Sequence, residues 1–452
     1  MTAEQKYEYL TTQSVKKAIS KMAIPTIISM LITSLYNMAD SFFVSSLGSG
    51  AIGAVGVVFL LMAIIQACGF FFGHGSGNYI SRKLGNKEYD DAKNMAATGY
   101  FTSMATGIIL MVLGLIFITP FAKFLGSDNT ILPYAKVYLT YILIGAPFMC
   151  SSMVMNNQLR FQGNATYAMI GMGIGSVLNI FGDWVLVPKM GMHGAGLATM
   201  FSQIISFFLL RVGIQKSSCV KISIKNFKFD KHLYYEIING GAPSLLRQSI
   251  GSIATICLNH VCKQYGTDVV ASMSIVTRIT QLPFSIIIGF GQGFQPVCGY
   301  NYGAKKYDRV LGGFYFTAIV SLIILSTLSA ICFIFSKDLV MLFCQNEDKI
   351  NNLELFLSFG STTLRAHCLT LPLMAINGTS SMLLQTTGKS IRASILAVAR
   401  QGLFFIPILF VLGSTVEGIK YVQVLSDVCT LVITVVIIIS MLKELNKLKK
   451  TI

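Results

Sequence analysis

Two carboxylates, Asp40 and Asp183, fall inside long apolar runs of a 452-residue chain that is 53% hydrophobic. Placing a carboxylate in the hydrocarbon of a bilayer costs roughly 2.5–3.5 kcal/mol even on a lenient scale, so such groups usually bind or transfer something. Tyr36 precedes Asp40 and Asn179 precedes Asp183 by four residues, the spacing that puts two side chains on one helix face. Thr199 lies in the next apolar run. Two carboxylates taken out of water beside one another favour reversible protonation. The same oxygens, with the Asn179 carbonyl and the Thr199 hydroxyl, could instead hold Na⁺ at Asp40, Asn179 and Asp183. No other metal site is indicated. The competing reading is that the aspartates tie helices together or reach toward the interface.

The elements that carry these groups read as membrane helices. Only 12% of residues are charged, far below the quarter usual for soluble domains. Twelve apolar runs approach or exceed the ~20 residues that span a bilayer. They cover 18–46, 52–81, 95–120, 134–160, 165–187, 194–214, 233–263, 268–299, 310–335, 351–386, 391–413 and 419–441. The expected fold is an all-α polytopic membrane protein with twelve transmembrane helices in two six-helix lobes. The N-lobe is 1–216, a connecting loop is 217–232 and the C-lobe is 233–452.

Lys and Arg concentrate in the two tails and in the loops after the even-numbered spans, which predicts cytoplasmic termini. The net charge of +16 then reflects topology and anionic lipid, with no nucleic-acid partner. The first run reads as a signal anchor rather than a cleaved leader. The connecting segment 220–229 alternates apolar and basic residues and is expected to lie on the lipid surface. The expected setting is the cell membrane, multi-pass, with the bilayer and a small organic substrate as partners and a monomeric state.

Shifting the chain on itself by 218 residues superposes Pro25 on Pro243, Gly48 on Gly266, Gly73 on Gly291, Gly75 on Gly293 and Lys87 on Lys305. An offset of 225 superposes Pro147 on Pro372 and Gly163 on Gly388. Six spans per copy make this a parallel repeat, with a pseudo-two-fold axis along the membrane normal and a substrate path between the lobes. Counting ~1.5 Å per residue puts Asp40, Asp183 and Thr199 about 8–10 Å beneath the outer edge. At the repeat offsets Asp40 becomes Leu258, Asn179 becomes Phe404 and Asp183 becomes Ile408. Coupling is therefore expected to be asymmetric.

The segments MADSFFVSSLG at 38–48, NIFGD at 179–183, GAGLAT at 194–199 and GQGFQPVCGYNYGAKKYDR at 291–309 resemble the multidrug and toxin extrusion (MATE) family, in its bacterial form. The resemblance covers the whole chain. It implies a secondary antiporter that exports cationic, often aromatic drugs or metabolites in exchange for H⁺ or Na⁺, by alternating access of a cavity between two lobes. It also implies an N-lobe cation site at Tyr36, Asp40, Asn179, Asp183 and Thr199. No cofactor beyond the coupling ion is expected.

The second half departs from the pattern: Arg247, Arg278, Arg365 and Arg400 fall near mid-span, of which only Arg278 fits the family pattern, and only Asp427 is a deep acid. Either Arg400 pairs with Asp427 and the others cap carbonyls or meet water, or the arginines serve an anionic or lipid-linked substrate, as in a flippase. Gln281, Gln292 and Gln295 on span 8 and Asn156 on span 4 are further cavity candidates. An enzyme is not expected. Gly388-Lys389-Ser390 lacks the first glycine of a phosphate loop, since position 383 is Leu. His74, His260 and His367 have no partner acid at their level.

Overall fold

The structure, a computed structural model, describes residues 2–45, 47, 49–217, 219–342 and 352–451. Gly48 of the repeat and the first residue of the predicted span 351–386 lie outside them. The first half contains α1 (Ala3–Thr12), α2 (Val15–Ser45), α3 (Ser49–Gly85), α4 (Tyr89–Ile116), α5 (Ile118–Phe124), α6 (Leu132–Phe161), α7 (Ala165–Met190) and α8 (Met192–Ser217). The second contains α9 (Lys231–Lys263), α10 (Thr267–Gly303), α11 (Tyr307–Ile334), α12 (Ser336–Leu342), α13 (Leu353–Thr370), α14 (Leu373–Thr386), α15 (Ser390–Val398), α16 (Ile406–Leu412) and α17 (Val416–Lys450). No strand occurs among the described residues. Helices are what apolar spans must form, because lipid offers no partner to an exposed peptide group.

Among the described residues, ten helical stretches are long and apolar enough to cross a bilayer. The other two predicted spans are α9 and the α13–α14 pair, which carry Arg247, Gln248, Arg365 and His367 and are correspondingly more polar. The tenth span is two helices rather than one. Its break falls at Leu371–Pro372, where proline supplies no N–H and crowds the preceding turn. The repeat partner Pro147 sits inside an unbroken α6. The eleventh span is interrupted by a π-helical stretch, Ala399–Phe405.

The repeat is visible in the backbone. Lys87 and Lys305, 218 positions apart, both adopt left-handed conformations, with φ of 63° and 57°. Gly163 and Gly388 do the same at 79° and 80°. Glycines also make the contact between the lobes reciprocal. A Cβ on Gly75 of α3 would collide with the Ile237 carbonyl of α9, and one on Gly293 of α10 would collide with Ala23 of α2. Gly241 of α9 faces the Phe71 carbonyl and Gly289 of α10 faces Ile27 in the same way. Each half thus seats its first spanning helix against the glycine-bearing helix of the other, at the close approach small residues permit.

Toward the basic end Arg82 pairs with Glu236 at 2.7 Å and donates to the Thr386 carbonyl at 3.0 Å. There α1 lies on the α10–α11 turn, its Leu10 carbonyl accepting from Asn301 at 2.9 Å. The connecting segment does more than rest on lipid: Val220 and Ile222 are buried, and the Lys228 carbonyl accepts from Thr98 of α4 at 3.3 Å. Ile224 and Phe229 point outward.

Candidate functional site

Two of the four helices that form the N-lobe site, α7 and α8, approach closely because their contact residues are small. Gly182 of α7 meets Ala198 of α8, and Gly175 meets Ser202 and Ser206. That crossing brings Asn179 beside Thr199. In the amide orientation that satisfies both ends, Asn179 Nδ2 donates to Asp183 Oδ2 at 3.0 Å, and its Oδ1 accepts from the Thr199 amide at 3.2 Å and hydroxyl at 3.1 Å.

Tyr138 of α6 completes the site. Its hydroxyl donates to Asp40 Oδ1 at 3.0 Å and lies 3.5 Å from Thr199 Oγ1. Asp40, Asp183, Asn179, Thr199 and Tyr138 are all buried, Asp183 and Tyr138 completely. The five predicted residues are therefore gathered in one place, and an unbroken polar chain runs Asp40–Tyr138–Thr199–Asn179–Asp183. Tyr36 is buried one turn from Asp40, with its hydroxyl unpartnered, and Asp183 Oδ1 has no partner either. Two orphaned oxygens among two carboxylates, an amide carbonyl and hydroxyls form a hard, all-oxygen donor set. Such a set suits a proton or Na⁺. Tyr138 was not anticipated, since a tyrosine near a span end is what any membrane interface carries.

A second polar region lines a cavity of about 560 Å³ between the lobes. Gln281, Gln292, Gln295, Arg247 and Arg400 all line it, as does Asp427. Arg400 Nε donates to Asp427 Oδ1 at 2.7 Å, and Gln423 and Thr370 also bond that carboxylate. The π-helical stretch carries Arg400, so the widened turn and the ion pair coincide.

The remaining candidates lie elsewhere. Arg365 is exposed, donates to Ser336 Oγ at 2.8 Å and stacks over Phe333. Arg278 is exposed and outside the lining. Both were placed by depth along the chain, which says nothing of which side of a helix faces the cavity. Asn156 bonds the Ala168 carbonyl at 3.0 Å and holds α6 against α7.

Arg160, near the basic end of α6, was also missed. It is 2% exposed and reaches Gln292 Oε1 at 2.5 Å, Asn157 Oδ1 at 2.6 Å and His74 Nε2 at 3.2 Å. At a span's basic end its sequence position reads as an interfacial charge.

A family model described as MatE matches the chain twice, over residues 25–185 and 243–411. A curated relative, the multidrug export protein MepA of Staphylococcus saprophyticus, is 28% identical over 420 residues, 91% of this chain and 90% of that protein. A solved structure described as the outward-facing conformation of a multidrug resistance MATE family transporter superposes with a TM-score of 0.90 and 25% identity over 98% of both chains. A transporter from Pyrococcus furiosus, described as having a binding pocket of reverse polarity that suggests a different function, gives the same TM-score, identity and coverage.

Proposed function

The chain belongs to the MatE family of membrane transporters, and we propose that it is a secondary antiporter exporting organic compounds in exchange for H⁺ or Na⁺. The observation that carries this reading is the buried polar chain from Asp40 to Asp183, present in one lobe only. Ion-free, it holds two carboxylates within one apolar lobe. A bound cation neutralises part of that charge and so favours whichever lobe arrangement packs the site most tightly. Only such differential affinity lets an ion drive a conformational change.

The glycine seam lies between the cavity and the basic end. With that end cytoplasmic, as the positive-inside rule predicts, the arrangement corresponds to an outward-facing state of an alternating-access cycle. Both termini then sit in the cytoplasm of a cell membrane. The test is efflux from proteoliposomes under imposed pH or Na⁺ gradients. Asp183→Asn should remove gradient-driven efflux, and the effective gradient names the ion. Full efflux by that variant overturns the coupling role.

A cationic substrate, the class the family resemblance implies, would rest on aromatic walls such as Phe70 and Phe284 and on the glutamines, because Asp427 is engaged by Arg400. A second reading, an anionic or lipid-linked substrate, is favoured by Arg247.

A further inference from the structure

Three charged side chains line the cavity among the described residues: Arg247, Arg400 and Asp427. Arg400 and Asp427 cancel. Arg247 does not, since among the described residues no carboxylate lies within ion-pair reach of it or of Arg160. Arg160, behind the cavity floor, has among the described residues Gln292, Asn157 and His74 as side-chain hydrogen-bond partners, all without negative charge. A buried cation needs a counter-charge or a full set of acceptors.

The floor is also short of acceptors. Ser244 Oγ lies 2.9 Å from His74 Nδ1, 3.2 Å from Arg247 Nη2 and 2.8 Å from Gln385 Nε2. Arg160 meets the other ring nitrogen of His74, which leaves Nδ1 carrying the proton when that contact is a hydrogen bond. Three N–H groups then converge on one hydroxyl oxygen, and Arg247 spends one of its five donors there. A carboxylate entering from the cavity would supply two oxygens to this cluster. It would also supply the missing negative charge, in the planar geometry a guanidinium matches best. Above the floor the walls turn apolar, with Phe70, Phe284, Met273 and Leu258.

We propose that the floor of the inter-lobe cavity is an anion subsite, with Arg247 as its ligand-contacting residue and Arg160 supplying field from behind. It would take organic compounds with a carboxylate head and an apolar body. This rests on reading the cavity as the substrate path. His74 comes from the first half and Arg247, Ser244 and Gln385 from the second, so a bound head group would join the lobes at one point.

The test is equilibrium binding to the purified full-length protein in detergent, read by fluorescence anisotropy. Two dyes with one fluorophore and opposite charge serve as probes, the carboxylate dansylglycine and the amine dansylcadaverine. Dansylglycine should bind at least tenfold more tightly, and Arg247→Gln should weaken it at least tenfold while Arg247→Lys restores part of the loss. In the wild type alone, benzoate should displace dansylglycine and tetraethylammonium should not, a comparison independent of whether any variant folds.

Equal affinity for the two dyes, or an Arg247→Gln protein of unchanged melting temperature that binds dansylglycine normally, overturns the proposal. Displacement by inorganic phosphate at lower concentration than benzoate overturns the carboxylate assignment. No gradient is present, so failure of ion coupling leaves this measurement untouched, and failure here leaves coupling untouched.

Discussion

Tyr138 and Asp40 are 98 positions apart and meet at 3.0 Å, with the phenol donating to the carboxylate and both side chains buried. In the proposed coupling role, the phenol favours the anionic, ion-free form of Asp40. A hydrogen bond to a charged group contributes about 1.5–3 kcal/mol, so Tyr138→Phe should lower the ion concentration for half-maximal efflux about tenfold or more. The check is efflux titrated against pH or Na⁺ in proteoliposomes.

Arg400 and Asp427 form a pair whose carboxylate is 4% exposed and whose guanidinium is 19% exposed. Removing one partner strands a buried charge, at a cost of about 3 kcal/mol. Arg400→Ala should therefore lower thermal stability clearly. Arg400→Met combined with Asp427→Leu should recover most of it, as read by scanning fluorimetry in detergent.

Arg365 lies on the outside of α13, held by Ser336 and Phe333. Arg365→Gln should leave substrate affinity within twofold of wild type and cost about 1 kcal/mol of stability, the net value of one hydrogen bond. Parallel binding and melting measurements check this.

Gly75 admits no Cβ, because the Ile237 carbonyl oxygen stands too close to where it would sit. Overpacking of this kind costs about 1–3 kcal/mol, and here the cost falls on the closed seam. Gly75→Val should shift the population toward states with the basic ends apart. Spin labels on Glu88→Cys and Asn446→Cys should report a longer distance by pulsed electron resonance.

The buried polar cluster of the first half was legible in the sequence because a carboxylate in an apolar run is rare, which singles out Asp40 and Asp183, and helix spacing and depth then bring in Asn179 and Thr199. Their partner was not, because Tyr138 carries no such anomaly. The arginines show the opposite limit. Position along a helix gives depth but not facing, so Arg278 and Arg365 looked equivalent to Arg247, which alone of the three reaches the cavity. The break at Pro372 was hidden because its twin Pro147 is absorbed in a continuous helix. The same residue can bend one lobe and leave the other straight, according to what packs around it.

The glycine seam has an evolutionary reading. When Gly75 grips α9 as Gly293 grips α2, the two halves touch as identical subunits would across a two-fold axis, each offering the same surface to the other. A duplicated gene that once encoded a homodimer would leave this signature after fusion. The halves, expressed as separate chains, should reassemble through it. Leu258 standing where the repeat places Asp40 then marks the division of labour that fusion allowed. The first half carries the carboxylates, and at the position matching Asp40 the second half places Leu258 in the cavity wall.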